Sequence, residues 1–197
     1  MTRKEKINVV FLTPPVTMEE RYGALAASGN CTPCLASTIL ASITRQAGYP
    51  THVIDAAAEG LILDEVMERL IRISPDFVGF TTTTLTTLPA ERLAKHIKER
   101  WPHCVIGIGG PHATAIPEET LQRCPAFDFA AIHEGDETIL DILNSIQNGD
   151  GDVTAIPGIA CRAGEGTVAK TPPRPPFREL DTLPFPAWDL LNEYPHK

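Results

Sequence analysis

The chain has 197 residues, of which 43% are hydrophobic and 21% charged, and a net charge of -8. Such a length and composition suit one globular domain with an appended segment. The acidic balance leaves no basic patch to neutralise phosphates, which excludes a nucleic-acid partner, and no apolar run is long enough to span a bilayer.

Met1 to Lys6 lead into a strand-length apolar run rather than a signal-peptide core, which points to a cytoplasmic protein. Five cysteines, at 31, 34, 104, 124 and 161, do not make a disulfide framework. Cys31-Thr32-Pro33-Cys34 is a C-x-x-C that could be redox-active or half of a metal site, but no second pair stands at zinc spacing, so packing near a helix start is the simpler reading.

Ile7 to Leu12 is a continuous apolar run, as in a strand buried on both faces, and Thr13-Pro14-Pro15 ends it because proline cannot donate to a ladder. A long loop runs through Arg21-Tyr22-Gly23 to about Pro33. Apolar residues at 35, 39, 40, 43 and 47 predict a helix from Cys34 to Ala47, closed by Gly48. Thr51 to Asp55 reads as a second strand and Leu61 to Ile73 as a second helix. Asp76 to Phe80 is a third strand, followed by Thr81, Thr82, Thr83 and Thr84, and Ala90 to Arg100 is a third helix. Cys104 to Ile108 is a fourth strand, running into Gly109-Gly110-Pro111-His112-Ala113-Thr114. Pro117 then opens a helix with acids in its first turn. Phe127 to Ile132 is the fifth strand, leading to His133-Glu134-Gly135-Asp136, where Asp136 is placed to cap the helix that follows.

Strands alternating with helices predict an α/β fold, a five-stranded doubly wound parallel sheet of Rossmann-like or flavodoxin-like order 2-1-3-4-5. Residues 1–149 make this unit. In residues 150–197, Ile156 to Arg162 and Thr167 to Lys170 read as a small β-hairpin about Ala163-Gly164-Glu165-Gly166. Prolines at 172, 173, 175, 176, 184 and 186 then make an extended arm. That arm is expected to lead into a further module of a longer protein.

The predicted order gathers Thr13-Pro14-Pro15, the threonine run, the double glycine and Glu134-Gly135 on the carboxyl edge of the sheet, where open α/β sheets bind ligands. A receiver domain needs acids after the first strand, an aspartate ending the third and a lysine ending the fifth. Pro14-Pro15, Thr81 and Glu134 stand there instead. Two prolines also remove the backbone donors that a flavin phosphate needs, His112 breaks a G-x-G-x-x-G, and no P-loop occurs. A fourth candidate is a large ligand whose tail inserts between strand ends, past small and hydroxyl side chains. Alone, the glycines could equally be a tight turn and the threonines strand formers and helix caps.

The ordered set of motifs resembles the cobalamin-binding domain found at the N-terminus of cobalamin-dependent radical S-adenosylmethionine enzymes. It runs through Thr13-Pro14-Pro15, Arg21-Tyr22-Gly23, Ile54-Asp55-Ala56, Pro75 to Gly79 with the threonines, Gly109 to Thr114, Pro117 to Thr120 and Glu134 to Glu137. It closes with the arm from Pro172 to Trp188. The resemblance implies cobalamin held across the carboxyl edge, its dimethylbenzimidazole tail entering between the threonines and Gly109-Gly110. Thr13, Pro14, Pro15, Tyr22, Gly23, Thr81 to Thr84, Gly109, Gly110, Pro111, His112, Ala113, Glu134 and Gly135 are the implied cofactor-binding residues.

Related cobalamin carriers supply a cobalt-ligating histidine from D-x-H-x-x-G after the first strand. Thr13 to Gly23 contain no histidine, so the expectation is base-off cobalamin without a histidine of this loop on cobalt. His112 is expected to order its loop or touch the nucleotide tail, with a core or surface role equally open. The resemblance further implies a C-terminal radical S-adenosylmethionine barrel after the arm, holding S-adenosylmethionine and a 4Fe–4S cluster on C-x-x-x-C-x-x-C. That triplet does not occur in this sequence. The chain is therefore expected to be non-catalytic alone and to carry a methyl group for the complete enzyme. A ligand-free scaffold and a nucleotide or phosphate binder are the alternatives.

Overall fold

The computed structural model describes residues 6–28, 32–149, 152–163 and 166–191. Cys31 of the C-x-x-C and the hairpin tip at 164–165 lie outside these residues. Five parallel strands form the centre: β1 (Val9–Thr13), β2 (Thr51–Asp55), β3 (Phe77–Thr81), β4 (Val105–Gly109) and β5 (Phe129–Ala131). Two more, β6 (Ile159–Ala163) and β7 (Thr167–Lys170), pair antiparallel to β5 and to each other. The sheet order is β2-β1-β3-β4-β5-β6-β7. The predicted 2-1-3-4-5 core is present, and the hairpin extends it to a seven-stranded sheet. Ile159, Ala160 and Cys161 are buried there, so the hairpin covers the edge that a three-residue β5 would leave open.

The helices are α1 (Met18–Tyr22), α2 (Leu35–Gln46), α3 (Ala56–Glu59), α4 (Leu63–Ile73), α5 (Thr87–Arg100), α6 (Pro111–Ala115), α7 (Pro117–Arg123) and α8 (Thr138–Asn148). Part of the predicted long loop is α1, begun by a reciprocal cap in which Thr17 and Glu20 bind each other's backbone N–H groups. Helix α5 starts three residues earlier than the apolar pattern indicated, because the Thr83 carbonyl accepts from the Thr86 and Thr87 N–H groups. Asp136 does not cap α8; Glu137 occupies that position without a side-chain cap.

Strand residues point alternately to the two faces. On one face Val10, Leu12, Val78, Phe80, Ile106 and Ile108 pack under α4, α5 and α7 through Val66, Leu70, Leu93, Ile97 and Leu121. On the other, Val9, Phe11, Phe77 and Phe129 meet α2 and α8 through Ala41, Ile43, Ile139, Ile142 and Leu143. Cys104, Cys124 and Cys161 are core residues, and burial pushes the Cys104 thiol up to about 12. Among the described residues no group of three His, Cys, Asp or Glu side chains could hold a metal ion, and no helix is long and apolar enough to cross a membrane.

Candidate cofactor site

Register places small residues side by side on the α2/α8 face. Gly79 of β3 faces Gly107 of β4, and Thr81 faces Gly109. The strands therefore present a trough there rather than a ridge. Ala36, Ile39 and Leu40 of α2 form one wall, Ile139 and Ile142 of α8 the other, and Phe11, Phe77 and Phe129 the floor. The cavity between them, open to solvent on one side, has a volume of about 290 Å³. Phe77 and Phe129 stack with centroids 6.3 Å apart at 18°. A Cβ on Gly107 would lie 2.2 Å from the Phe129 ring, so that glycine makes room for the floor itself.

The mouth lies at the carboxyl edge. Thr81, Gly109, Gly110, His133, Glu134, Gly135 and Asp136 line it. Burial, aided by Glu134 and Glu137 alongside, raises the Asp136 carboxyl above the usual carboxylate range.

The two adjacent glycines have different reasons to be glycine. A Cβ on Gly109 would meet nothing nearer than Ala131 Cβ at 3.8 Å, so its missing side chain leaves cavity open. Gly110 has φ 98°, and a Cβ there would lie 2.5 Å from the Thr82 carbonyl oxygen. Gly110 thus permits a backbone crossing, and the tight-turn and open-space readings hold at successive residues.

A second hollow of about 210 Å³ lies beside the first, lined among others by Thr13, Pro14, Arg21, Cys34, Asp55, Thr81 to Thr83 and Pro111. The Thr13 hydroxyl donates to Asp55 Oδ1 at 2.6 Å, and the Cys34 N–H donates to Asp55 Oδ2 at 2.9 Å. Asp55 thereby ties the end of β1 to the start of α2. Thr81 lines both hollows, with its Oγ1 3.4 Å from Ser37 Oγ.

The threonine run divides its work. Thr81 faces the cavity. Thr82 is buried, and its N–H donates to the Gly109 carbonyl at 2.9 Å. The Thr83 carbonyl starts α5, and Thr84 Oγ1 lies 3.2 Å from His112 Nδ1. The structure therefore gathers Thr81, Gly109, Gly110, Glu134 and Gly135 at the cavity, and Thr13, Pro14, Thr82, Thr83 and Pro111 at the neighbouring hollow. Pro15, Tyr22, Gly23, Thr84 and His112 line neither. Ala113 is buried in the core of the opposite face. Sequence reasoning missed Gly79, Gly107, both helical walls and His133. The signal was present in the period-2 spacing of Gly79 with Thr81 and of Gly107 with Gly109, which puts all four on one face.

An apolar slot with a polar mouth opens at the carboxyl edge of this Rossmann-like sheet, where open α/β sheets bind ligands. The B12-binding domain family matches residues 22–143, and the chain belongs to it. An uncharacterized methyltransferase of Pyrococcus horikoshii is 32% identical over 186 residues, covering 94% of this chain and 39% of that protein. The anaerobic magnesium-protoporphyrin IX monomethyl ester cyclase of Rubrivivax gelatinosus is 31% identical over 189 residues, covering 94% of this chain and 33% of that protein. In fold, the chain is similar to the cobalamin-dependent S-adenosylmethionine radical enzyme OxsB, with a TM-score of 0.75 at 18% identity, over 94% of this chain and 25% of that one. The chain thus spans about two fifths or less of each of these three proteins.

The residues present fit cobalamin. An aromatic, largely apolar tail suits the slot, Gly109 leaves its entrance open, and the Thr81 hydroxyl offers a hydrogen-bonding group beside it.

Proposed function

We propose that this chain is the cobalamin-holding module of a radical S-adenosylmethionine enzyme, most simply a methyltransferase. Its tail cavity between α2 and α8 is the single observation that carries the reading. Bound cobalamin would supply a cobalt centre able to carry a methyl group. The chain's own residues accept the tail, exclude water from it and orient the corrin over the carboxyl edge. The reading includes base-off cobalamin with no histidine of this chain on cobalt, a barrel following the arm, and a location in the cytoplasm. Thr13, Pro14, Thr81 to Thr83, Gly109 to Pro111, Glu134 and Gly135 would make the cofactor surface. His112, turned to Thr84, would order the loop beyond it.

Two measurements test this. Protein reconstituted with hydroxocobalamin is expected to keep the corrin absorbance through desalting; a folded sample that elutes colourless refutes the reading. After reduction, the electron paramagnetic resonance spectrum of the cob(II)alamin form is expected to show no nitrogen superhyperfine triplet. His133, at the cavity mouth, makes that measurement discriminating. A triplet that disappears in His133→Ala would place an imidazole on cobalt and overturn the histidine-free part of the proposal.

A further inference from the structure

The arm after β7 lies across both helices that wall the cavity. Its first segment is stitched beside β5. The Gly158 N–H donates to the Pro172 carbonyl at 2.9 Å, and the Ile132 N–H donates to the Gly158 carbonyl at 2.9 Å. Arg174 then reaches the first turns of α8. Its Nη1 lies 3.1 Å from Glu137 Oε2, and its Nη2 pairs with Asp141. The Arg174 side chain is only 16% exposed. Three residues on, the Phe177 N–H donates to Glu134 Oε2 at 3.1 Å. Farther along, the Ala187 N–H donates to the Thr38 carbonyl of α2 at 3.0 Å, and Asp189 pairs with Arg45 of the same helix. The arm is therefore fastened to α8 at one end and α2 at the other.

Glu134, Asp136, Glu137 and Asp141 crowd the mouth and first turns of α8, and Arg174 is the cation that bridges two of them. Without it, the arm loses its side-chain hold on Glu137 and Asp141 at the start of α8, next to the loop that carries the mouth residues His133, Glu134 and Gly135. A planar guanidinium can hold two carboxylates at once, whereas an ammonium is a point charge.

We infer that Arg174 is a positioning residue for the cofactor: from the arm, it holds the α8 wall and the mouth loop of the tail cavity in their binding geometry. This inference rests on the cobalamin reading above and goes beyond it by tying tail retention to the arm.

The test is the release rate of hydroxocobalamin from the reconstituted protein, with excess apo-acceptor as trap. Arg174→Ala is expected to release cobalamin about tenfold faster, and Arg174→Lys to recover part of the loss. Glu137→Gln with Asp141→Asn removes the same clamp from the α8 side and is expected to speed release without adding to the effect of Arg174→Ala. Amide exchange in the cofactor-free protein is expected to quicken in the 132–142 segment of Arg174→Ala and not in β1, β3 or β4. Release from Arg174→Ala at the wild-type rate, or no recovery with lysine, overturns the inference while leaving the cobalamin reading intact. Failure of the wild type to hold cobalamin overturns both.

Discussion

Gly109→Leu is expected to lower cobalamin affinity about 100-fold, roughly 2.7 kcal/mol, while leaving the fold unchanged. The reason lies in the direction and emptiness of the position. Gly109 faces the α2/α8 side beside Ala131, and an added Cβ stays 3.8 Å from its nearest neighbour. The backbone tolerates a side chain, and the branched end of leucine then occupies the slot between α2 and α8 whose volume is about 290 Å³. Ligand and side chain compete for the same space. Gly109→Ala adds one methyl group and should change affinity only a few-fold. Titration with hydroxocobalamin followed by corrin absorbance reads the affinity, and far-UV circular dichroism reads the fold. Wild-type affinity in a folded Gly109→Leu protein would mean that the tail does not enter this slot.

Gly110→Ala is expected to do the opposite, striking stability before binding. At φ 98° and ψ -175° the residue sits in a region open to glycine, and a Cβ would lie 2.5 Å from the Thr82 oxygen and 3.0 Å from its nitrogen. Both atoms are backbone, so no flexible side chain can yield. Strain of this kind together with overpacking costs about 3 kcal/mol or more. For a chain of this size that corresponds to a fall in Tm of roughly 6–12 °C. Thermal unfolding of the cofactor-free protein measures it, and a Tm within a degree or two of wild type would show that the crossing has slack.

These neighbouring glycines show how far the residues alone could be read. The parallel core was legible because each strand is a short apolar run between helical periodicities, and the chirality of crossovers leaves few orders. The carboxyl edge followed from that order. The division of labour at Gly109 and Gly110 did not, because it depends on how closely β4's end passes Thr82, a tertiary distance. The threonine run was similar. Four hydroxyl residues in a row announce a special segment, but which of them faces the cavity depends on strand register and on where α5 begins. His133 was overlooked for a related reason: its place at the mouth, with φ 64°, follows from how β5 stops after three residues. The hairpin was recognised as a hairpin, but its joining the sheet depends on an edge that only the folded β5 presents.

The two faces of the sheet are unequally finished. Under α4, α5 and α7 the side chains close on one another. Under α2 and α8 the glycines of β3 and β4 leave a gap floored by Phe11, Phe77 and Phe129. A cofactor tail seated there would be, in packing terms, an interior side chain contributed by another molecule. Loading and consolidation of that half of the domain would then be one thermodynamic event. Departure of the tail would uncover aromatic surface that water solvates poorly, and that cost would slow its escape.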